Sequence, residues 1–334
     1  MALVTVLGSG SWGTALAIQL ARVGHEVSLW ARNADLAASI AETRQNGTYL
    51  PGVPLPPSIR PTADLALACA GSEMLVFVCP SAGVRAMAAA IREVVGQRPL
   101  VVSAAKGVEQ ESLLTMSAVL DQVLGDRPGP PAAVLSGPSF AHEVAKGLPT
   151  AVTAASRDLD VAERVQQLFT GPTFRVYTST DVIGVEIGGA VKNVIALAAG
   201  VSDGLGFGTN SRAALITRGL AEMGRLASRL GADRLTLAGL SGLGDLVLTC
   251  TGDLSRNRSV GLRLGRGEQL ANIVASMKEV AEGVRNTRSV RDLARSVEVE
   301  MPIAEQMYLL LYEGKPPRQV GIDLMTRGPR RETD

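Results

Sequence analysis

Short runs of β-branched and aliphatic residues alternate with longer amphipathic stretches along the first half of the chain, and the strand-like runs stop near residue 180. Leu3–Leu7 (LVTVL) is the first such run, and the apolar segment Thr14–Val23 that follows reads as a helix. Further strands are predicted at Val27–Ala31, Met74–Val78, Leu100–Ser103, Ala132–Ser136, Thr150–Ala154 and Phe174–Tyr177, with helices at Asp35–Thr43 and Gly83–Val95 between them. The proline-rich stretch Leu50–Pro61 is expected to be a loop. This alternation predicts an α/β fold with a Rossmann-like, doubly wound parallel sheet.

From Asp181 onward the period is helical throughout. Helices are predicted at Val182–Val201, Ser211–Leu230, Arg234–Ala238, Val260–Arg266, Leu270–Ala275, Gly283–Ser296 and Met301–Tyr312, with a glycine break after Ala238. The expected organisation is a sheet domain over residues 1–180, an all-α domain over 181–325 and a polar, flexible tail over 326–334.

At 334 residues the chain is long for a single core, and its hydrophobic content of 46% supports substantial burial. A net charge of +1 gives no reason to expect nucleic acid or an anionic membrane, so any anion site must be a local cluster. Val182–Val201 is apolar and long enough to consider as a membrane span, but Glu186, Lys192 and Asn193 lie within it and would be costly in lipid, so a buried helix is expected. Cys69, Cys79 and Cys250 show no CxxC spacing and read as apolar residues of a reducing, cytoplasmic compartment. No basic leader is read before the first strand, and no metal-ligand cluster is read anywhere. Only five of the 33 basic residues are lysines, so a lysine inside an apolar segment draws notice.

The first strand runs into Gly8-Ser9-Gly10-Ser11-Trp12-Gly13, a GxGxxG turn opening a helix. Gly8 allows the tight turn, Gly10 admits phosphates close to the backbone, and Gly13 lets helix and strand pack. The helix N-terminus adds N–H donors and a favourable dipole for a pyrophosphate. Ligands of such sheets bind beyond the carboxyl ends of the strands, where Arg32, Pro80–Ser81, Lys106 and Gly137–Ala141 also fall. An acidic residue at the end of the second strand would repel a 2′-phosphate; Arg32 and the neutral Asn33 stand there instead. They favour NADP(H), with NAD(H) also admitted, against the alternative that Arg32 is a solvated strand end.

Oxidation of an alcohol needs a group to take the hydroxyl proton. His25 precedes the second strand, at the wrong end of the sheet, and His142 reads as part of a surface helix. Lys192, within IGGAVKNVI, is the better candidate: burial disfavours its ammonium and brings its pKa toward neutrality, although a snorkelling lysine would look similar. Lys106 in SAAKG could hold a substrate oxygen or phosphate. Asp245 in SGLGDLVL must find a partner, and could orient Lys192, bind a substrate hydroxyl or cap a helix. Ser255, Arg256 and Asn257 at a helix start form a phosphate cradle. These residues point to a phosphorylated hydroxy compound and a nicotinamide cofactor. A β-hydroxyacid or 6-phosphogluconate dehydrogenase, and a cofactor-sensing module without turnover, remain alternatives at this level.

Six ordered segments resemble the bacterial-type NAD(P)-dependent glycerol-3-phosphate dehydrogenases: GSGSWGTALA (Gly8–Ala17), SAAKGVE (Ser103–Glu109), LSGPSFAHEV (Leu135–Val144), GGAVKNVIALAAG (Gly188–Gly200), SGLGDLVLTCTGDLSRNRSVG (Ser241–Gly261) and VAEGVRNT (Val280–Thr287). The resemblance implies a helical domain like the C-terminal domain of 6-phosphogluconate dehydrogenase. It also implies reversible reduction of dihydroxyacetone phosphate to sn-glycerol 3-phosphate, which supplies glycerophospholipid synthesis. It makes Lys192 the proton donor and acceptor. It assigns substrate contacts to Lys106, Gly137, Ser139, Asp245, Ser255, Arg256 and Asn257, and cofactor contacts to Ser11, Trp12, Arg32, Asn33, Tyr49, Lys106, Ala141, Arg256, Val280 and Glu282. A homodimer is the assembly it implies.

Overall fold

The computed structural model describes residues 1–96, 99–126, 128–277, 281–329 and 331–332. Among the described residues ten strands form, in chain order: β1 (Leu3–Leu7), β2 (Glu26–Trp30), β3 (Gln45–Asn46), β4 (Leu50–Pro54), β5 (Ile59–Thr62), β6 (Met74–Phe77), β7 (Leu100–Ser103), β8 (Ala133–Ser136), β9 (Thr150–Ala155) and β10 (Phe174–Ser179). Eight of them make one sheet in the order β10-β9-β8-β7-β6-β1-β2-β5. β1 lies near its middle, with Val4 opposite Val27 on one side and Met74 on the other. Chain order reverses across β1, with β2 on one side and β6 on the other, and this is the switch point at which α/β sheets bind ligands.

Two expectations need correction. The pairing is parallel throughout the large sheet except between β8 and β9, where Leu135 faces Ala154 in an antiparallel register. The connection between them contains only the short Ala141–Lys146 helix, and the chain turns back instead of crossing over. The proline-rich stretch is not simply a loop. It contains β4, which forms a hairpin with β3, and β5, which pairs with β2 at the sheet edge. Leu50, Val53, Leu55 and Ile59 are buried there, and edge positions tolerate the missing proline N–H.

Helices cover both faces of the sheet. Ser11–Arg22 packs over one face with Phe169 and Phe174, while Val84–Val94 and Met116–Leu124 pack over the other. A separate core surrounds the 23-residue helix Val182–Gly204, and 94% of that helix's most apolar window lies inside the protein. Glu186, Lys192 and Asn193 are buried with it. Against this helix packs Arg256–Gly265. A Cβ on Gly200 would lie 2.1 Å from the Arg258 carbonyl oxygen, and one on Gly261 would lie 2.1 Å from that of Leu197, so the two backbones meet through glycine. The expected glycine break is a π-helical turn, Leu240–Gly244, that leads straight into a helix at Asp245–Thr251. A further helix, Pro317–Met325, also escapes the sequence reading. Val108 lies in the segment between β7 and Met116, yet it is buried in the helical core.

Candidate active site

The glycine turn follows from local sterics. Gly8 has a φ of +129°, and a Cβ there would lie 3.0 Å from the Val78 backbone. A Cβ on Gly13 would fall 1.8 Å from the Gly8 carbonyl oxygen, so only glycine permits the approach. Over Gly10 nothing lies within 4 Å of such a Cβ, and no side chain caps the Ser11–Arg22 helix. The turn therefore offers room and a helix N-terminus, which suits a pyrophosphate. Ser11 begins the helix, and Trp12 packs half-buried against the core of the sheet domain. Buried Asn46 braces the turn, donating to the Ser9 carbonyl at 2.7 Å and the Thr14 hydroxyl at 2.8 Å. Its own Oδ1 accepts from the Tyr49 N–H, which brings the Tyr49 hairpin beside the turn. Arg32 and Asn33 are exposed beyond the end of β2, where Asn33 Oδ1 caps the Ala34–Thr43 helix by accepting from Leu36 N–H. A capping role for the Asn33 side chain is thus in place beside any contact with a cofactor.

Lys192 and Lys106 converge on one buried carboxylate. Lys192 Nζ donates to Asp245 Oδ1 at 2.5 Å and to Thr249 Oγ1 at 2.9 Å. Lys106 Nζ donates to Asp245 Oδ2 at 2.6 Å and to the Gly137 carbonyl at 3.1 Å. The groups come from four elements: Lys192 from the long helix, Lys106 from the end of β7, the Gly137 carbonyl from the end of β8, and Asp245 and Thr249 from the helix after the π-turn. Burial pushes Lys192 down to about 8, against the pull of Asp245 and with the aid of Lys106. Burial alone would raise Asp245, but the ammonium groups of Lys106 and Lys192 hold it below the usual carboxylate range. The cluster thus joins two cations to one anion, so it suits an anionic substrate and holds a lysine able to exchange a proton near neutral pH.

Of the other expected site residues, Ser139 and Asn257 connect to this cluster through Gly137 and Asn193. Ser139 Oγ donates to the Gly137 carbonyl at 3.0 Å, and Ala141 opens the next short helix. Ser255 caps the Arg256–Gly265 helix by accepting from Arg258 N–H. Arg256 is exposed at its first position. Asn257 donates to Asn193 Oδ1 at 2.8 Å and accepts from Gly283 N–H at 2.9 Å, which ties this helix start to the residue after Lys192. Glu282 reaches the sheet domain, where its carboxylate accepts from the Ser81 hydroxyl at 2.7 Å. Burial raises Glu282 above the ordinary carboxylate range. Val280 lies outside the described residues.

His25 is set apart from this cleft. Its Nδ1 accepts from Ala2 N–H at 3.1 Å, so Nε2 carries the proton and donates to the Leu168 carbonyl at 2.9 Å. Sequence reasoning missed Thr249 and Asn286, whose Nδ2 donates to the Lys106 carbonyl at 3.2 Å. Asp245 and Thr249 are four residues apart and share a face once a helix is recognised there, whereas the glycines before them read as a break.

Profiles described as the N-terminus and the C-terminus of NAD-dependent glycerol-3-phosphate dehydrogenase match residues 3–162 and 181–321. A curated protein of Geobacter metallireducens, named glycerol-3-phosphate dehydrogenase [NAD(P)+], is 54% identical over 329 residues, covering 98% of each chain. One of the same name from Myxococcus xanthus is 52% identical over 328 residues, again covering 98% of each. Among solved structures, glycerol-3-phosphate dehydrogenase from Coxiella burnetii aligns with a TM-score of 0.94 at 41% identity, over 98% of this chain and 99% of that one. By sequence along its whole length and by three-dimensional structure, the chain belongs to the NAD-dependent glycerol-3-phosphate dehydrogenase family.

Proposed function

We propose that this protein is an NAD(P)-dependent sn-glycerol-3-phosphate dehydrogenase, reducing dihydroxyacetone phosphate reversibly and supplying the glycerol backbone of phospholipids. The observation that carries the chemistry is the buried Lys192–Asp245–Lys106 cluster, in a chain more than half identical to relatives named for this activity.

The glycine turn at Gly8–Gly13 would hold the cofactor pyrophosphate, with Ser11, Trp12, Arg32, Asn33, Tyr49, Ala141 and Glu282 around it. The bound nicotinamide supplies hydride in one direction and accepts it in the other. In reduction, Lys192 gives a proton from Nζ to the substrate oxygen as negative charge develops there; in oxidation it takes the hydroxyl proton back. Asp245 holds Nζ in place and offsets the charge of the ammonium form. Lys106 adds a fixed positive charge beside the substrate. Ser255, Arg256 and Asn257 would anchor the phosphate at a helix N-terminus, and this supplies the orientation that makes proton delivery effective. Gly137 and Ser139 would add substrate contacts beside Lys106, whose Nζ already meets the Gly137 carbonyl.

The finer preference for NADP(H) is supported by Arg32, since a guanidinium pairs with a 2′-phosphate. We also propose a division near Thr180, because β10 ends at Ser179 and the long helix starts at Val182. Free thiols at Cys69, Cys79 and Cys250 suit a cytoplasmic setting. A homodimer completes the reading, and sedimentation of the purified protein checks it. The direct test of function follows nicotinamide absorbance with dihydroxyacetone phosphate, run separately with NADPH and NADH. Consumption of both, faster at low NADPH, is expected; no consumption of either would overturn the assignment.

A further inference from the structure

Glu186 lies six residues before Lys192 on the same buried helix, and none of the chemistry above uses it. Its carboxylate crosses to the sheet domain. There it accepts from Ser117 N–H at 2.8 Å and from the Ser117 hydroxyl at 2.6 Å, beside the Thr115 hydroxyl and the Met116 N–H. These groups form the N-terminus of the Met116–Leu124 helix, and Thr115, the residue at its cap position, makes no capping bond with its own side chain. The cap comes from the other domain.

The segment from Ala104 to Thr115 joins the end of β7 to that helix and carries Lys106 near its start. It is held along its length. Asn286 binds the Lys106 carbonyl, Val108 is buried in the helical core, Arg85 grips Glu109, and Glu186 fixes the far end. The long helix therefore presents both Lys192, which meets Asp245 directly, and Glu186, which anchors the segment bearing the other lysine on Asp245.

We infer that Glu186 is a positioning residue: by capping the Thr115–Ser117 helix start across the domain junction, it sets the placement of Lys106 against Asp245 and Lys192 during turnover. The inference rests on the proposed function of that cluster. A carboxylate with an oxygen for each of two contacts at a helix start suits this task, because Ser117 N–H and the Ser117 hydroxyl meet separate oxygens in directional bonds. Glutamine keeps the size of the side chain but replaces one acceptor oxygen with an NH2 donor.

The test compares E186Q, S117A, K106A and the double variant E186Q/K106A with the wild type, all checked for native circular dichroism. E186Q is expected to lower kcat for dihydroxyacetone phosphate reduction by about 10- to 100-fold, the range for a displacement remote from the chemistry. Its KM for NADPH should change by a smaller factor than kcat, since the glycine turn is untouched and only the Lys106 contact shifts. In the K106A background the same substitution should cost little more, because its effect passes through Lys106. S117A, which leaves Glu186 intact and removes the hydroxyl from the opposite domain, should reduce kcat in the same direction and serves if E186Q does not fold. Unchanged kcat in a folded E186Q or S117A, or an undiminished further loss in the K106A background, would overturn the inference. Absence of turnover in the wild type, or its persistence in K192M, would instead overturn the functional reading and this inference with it.

Discussion

Lys192 carries the most consequence for a single side chain. Because burial lowers it to about 8, an appreciable fraction is neutral at the upper edge of physiological pH. Reduction needs the ammonium and oxidation the amine. Accordingly, kcat/KM for dihydroxyacetone phosphate should fall as pH rises past about 8, while that for glycerol 3-phosphate should rise. Replacement by methionine should preserve NADPH binding, measured by fluorescence titration, and lower turnover by at least ~100-fold. At the cofactor end, Arg32→Asp should weaken NADPH much more than NADH in the same titration, and equal losses would remove the 2′-phosphate role. Lys192, Lys106 and Asp245 were legible in the sequence because a charge among apolar neighbours demands a partner. What could not be read was which partner, since four elements distant in sequence meet there. Thr249 was hidden for a local reason: its helix follows glycines that, read alone, signal a stop.

Most elements were legible because strand and helix periods differ clearly in this chain. The failures have physical causes. Prolines between residues 50 and 61 suggest a loop, yet β4 and β5 are edge strands that need no N–H from those positions. β8 is apolar and buried like its parallel neighbours, and a short helix follows it as in a crossover, so the antiparallel β8–β9 pair was not foreseen. Backbone proximity between helices is also invisible to periodicity. Gly261 lies in the predicted Val260–Arg266 helix, and a Cβ on it would fall on the backbone of the Lys192 helix. Even alanine there must push carbonyl oxygens apart. Gly261→Ala is expected to destabilise the protein by about 1–3 kcal/mol, the usual range for overpacking, seen as a lower urea midpoint with an unchanged slope.

The fold as a whole includes a buried carboxylate, away from Lys192, with its own pH signature. Glu222, on the Gly208–Arg229 helix, accepts from Ile303 N–H at 2.7 Å and from Ala304 N–H at 3.4 Å, and so caps the Pro302–Tyr312 helix. Burial raises it from 4.5 to about 7, well above its value in an unfolded chain. The folded state therefore binds a proton that the unfolded state has already released, and this contribution to stability is lost as pH rises from about 4.5 through about 7. Thermal midpoints measured across that window should fall less steeply with pH in Glu222→Gln than in the wild type.

Val108 leaves the sheet half of the chain and enters the other half's apolar interior. Neither half is then sealed without the other: a fragment starting at residue 181 would carry an unfilled socket, and one ending at 180 would carry a greasy plug. Heating should accordingly melt the intact chain in one calorimetric step, with no surviving half to scaffold refolding.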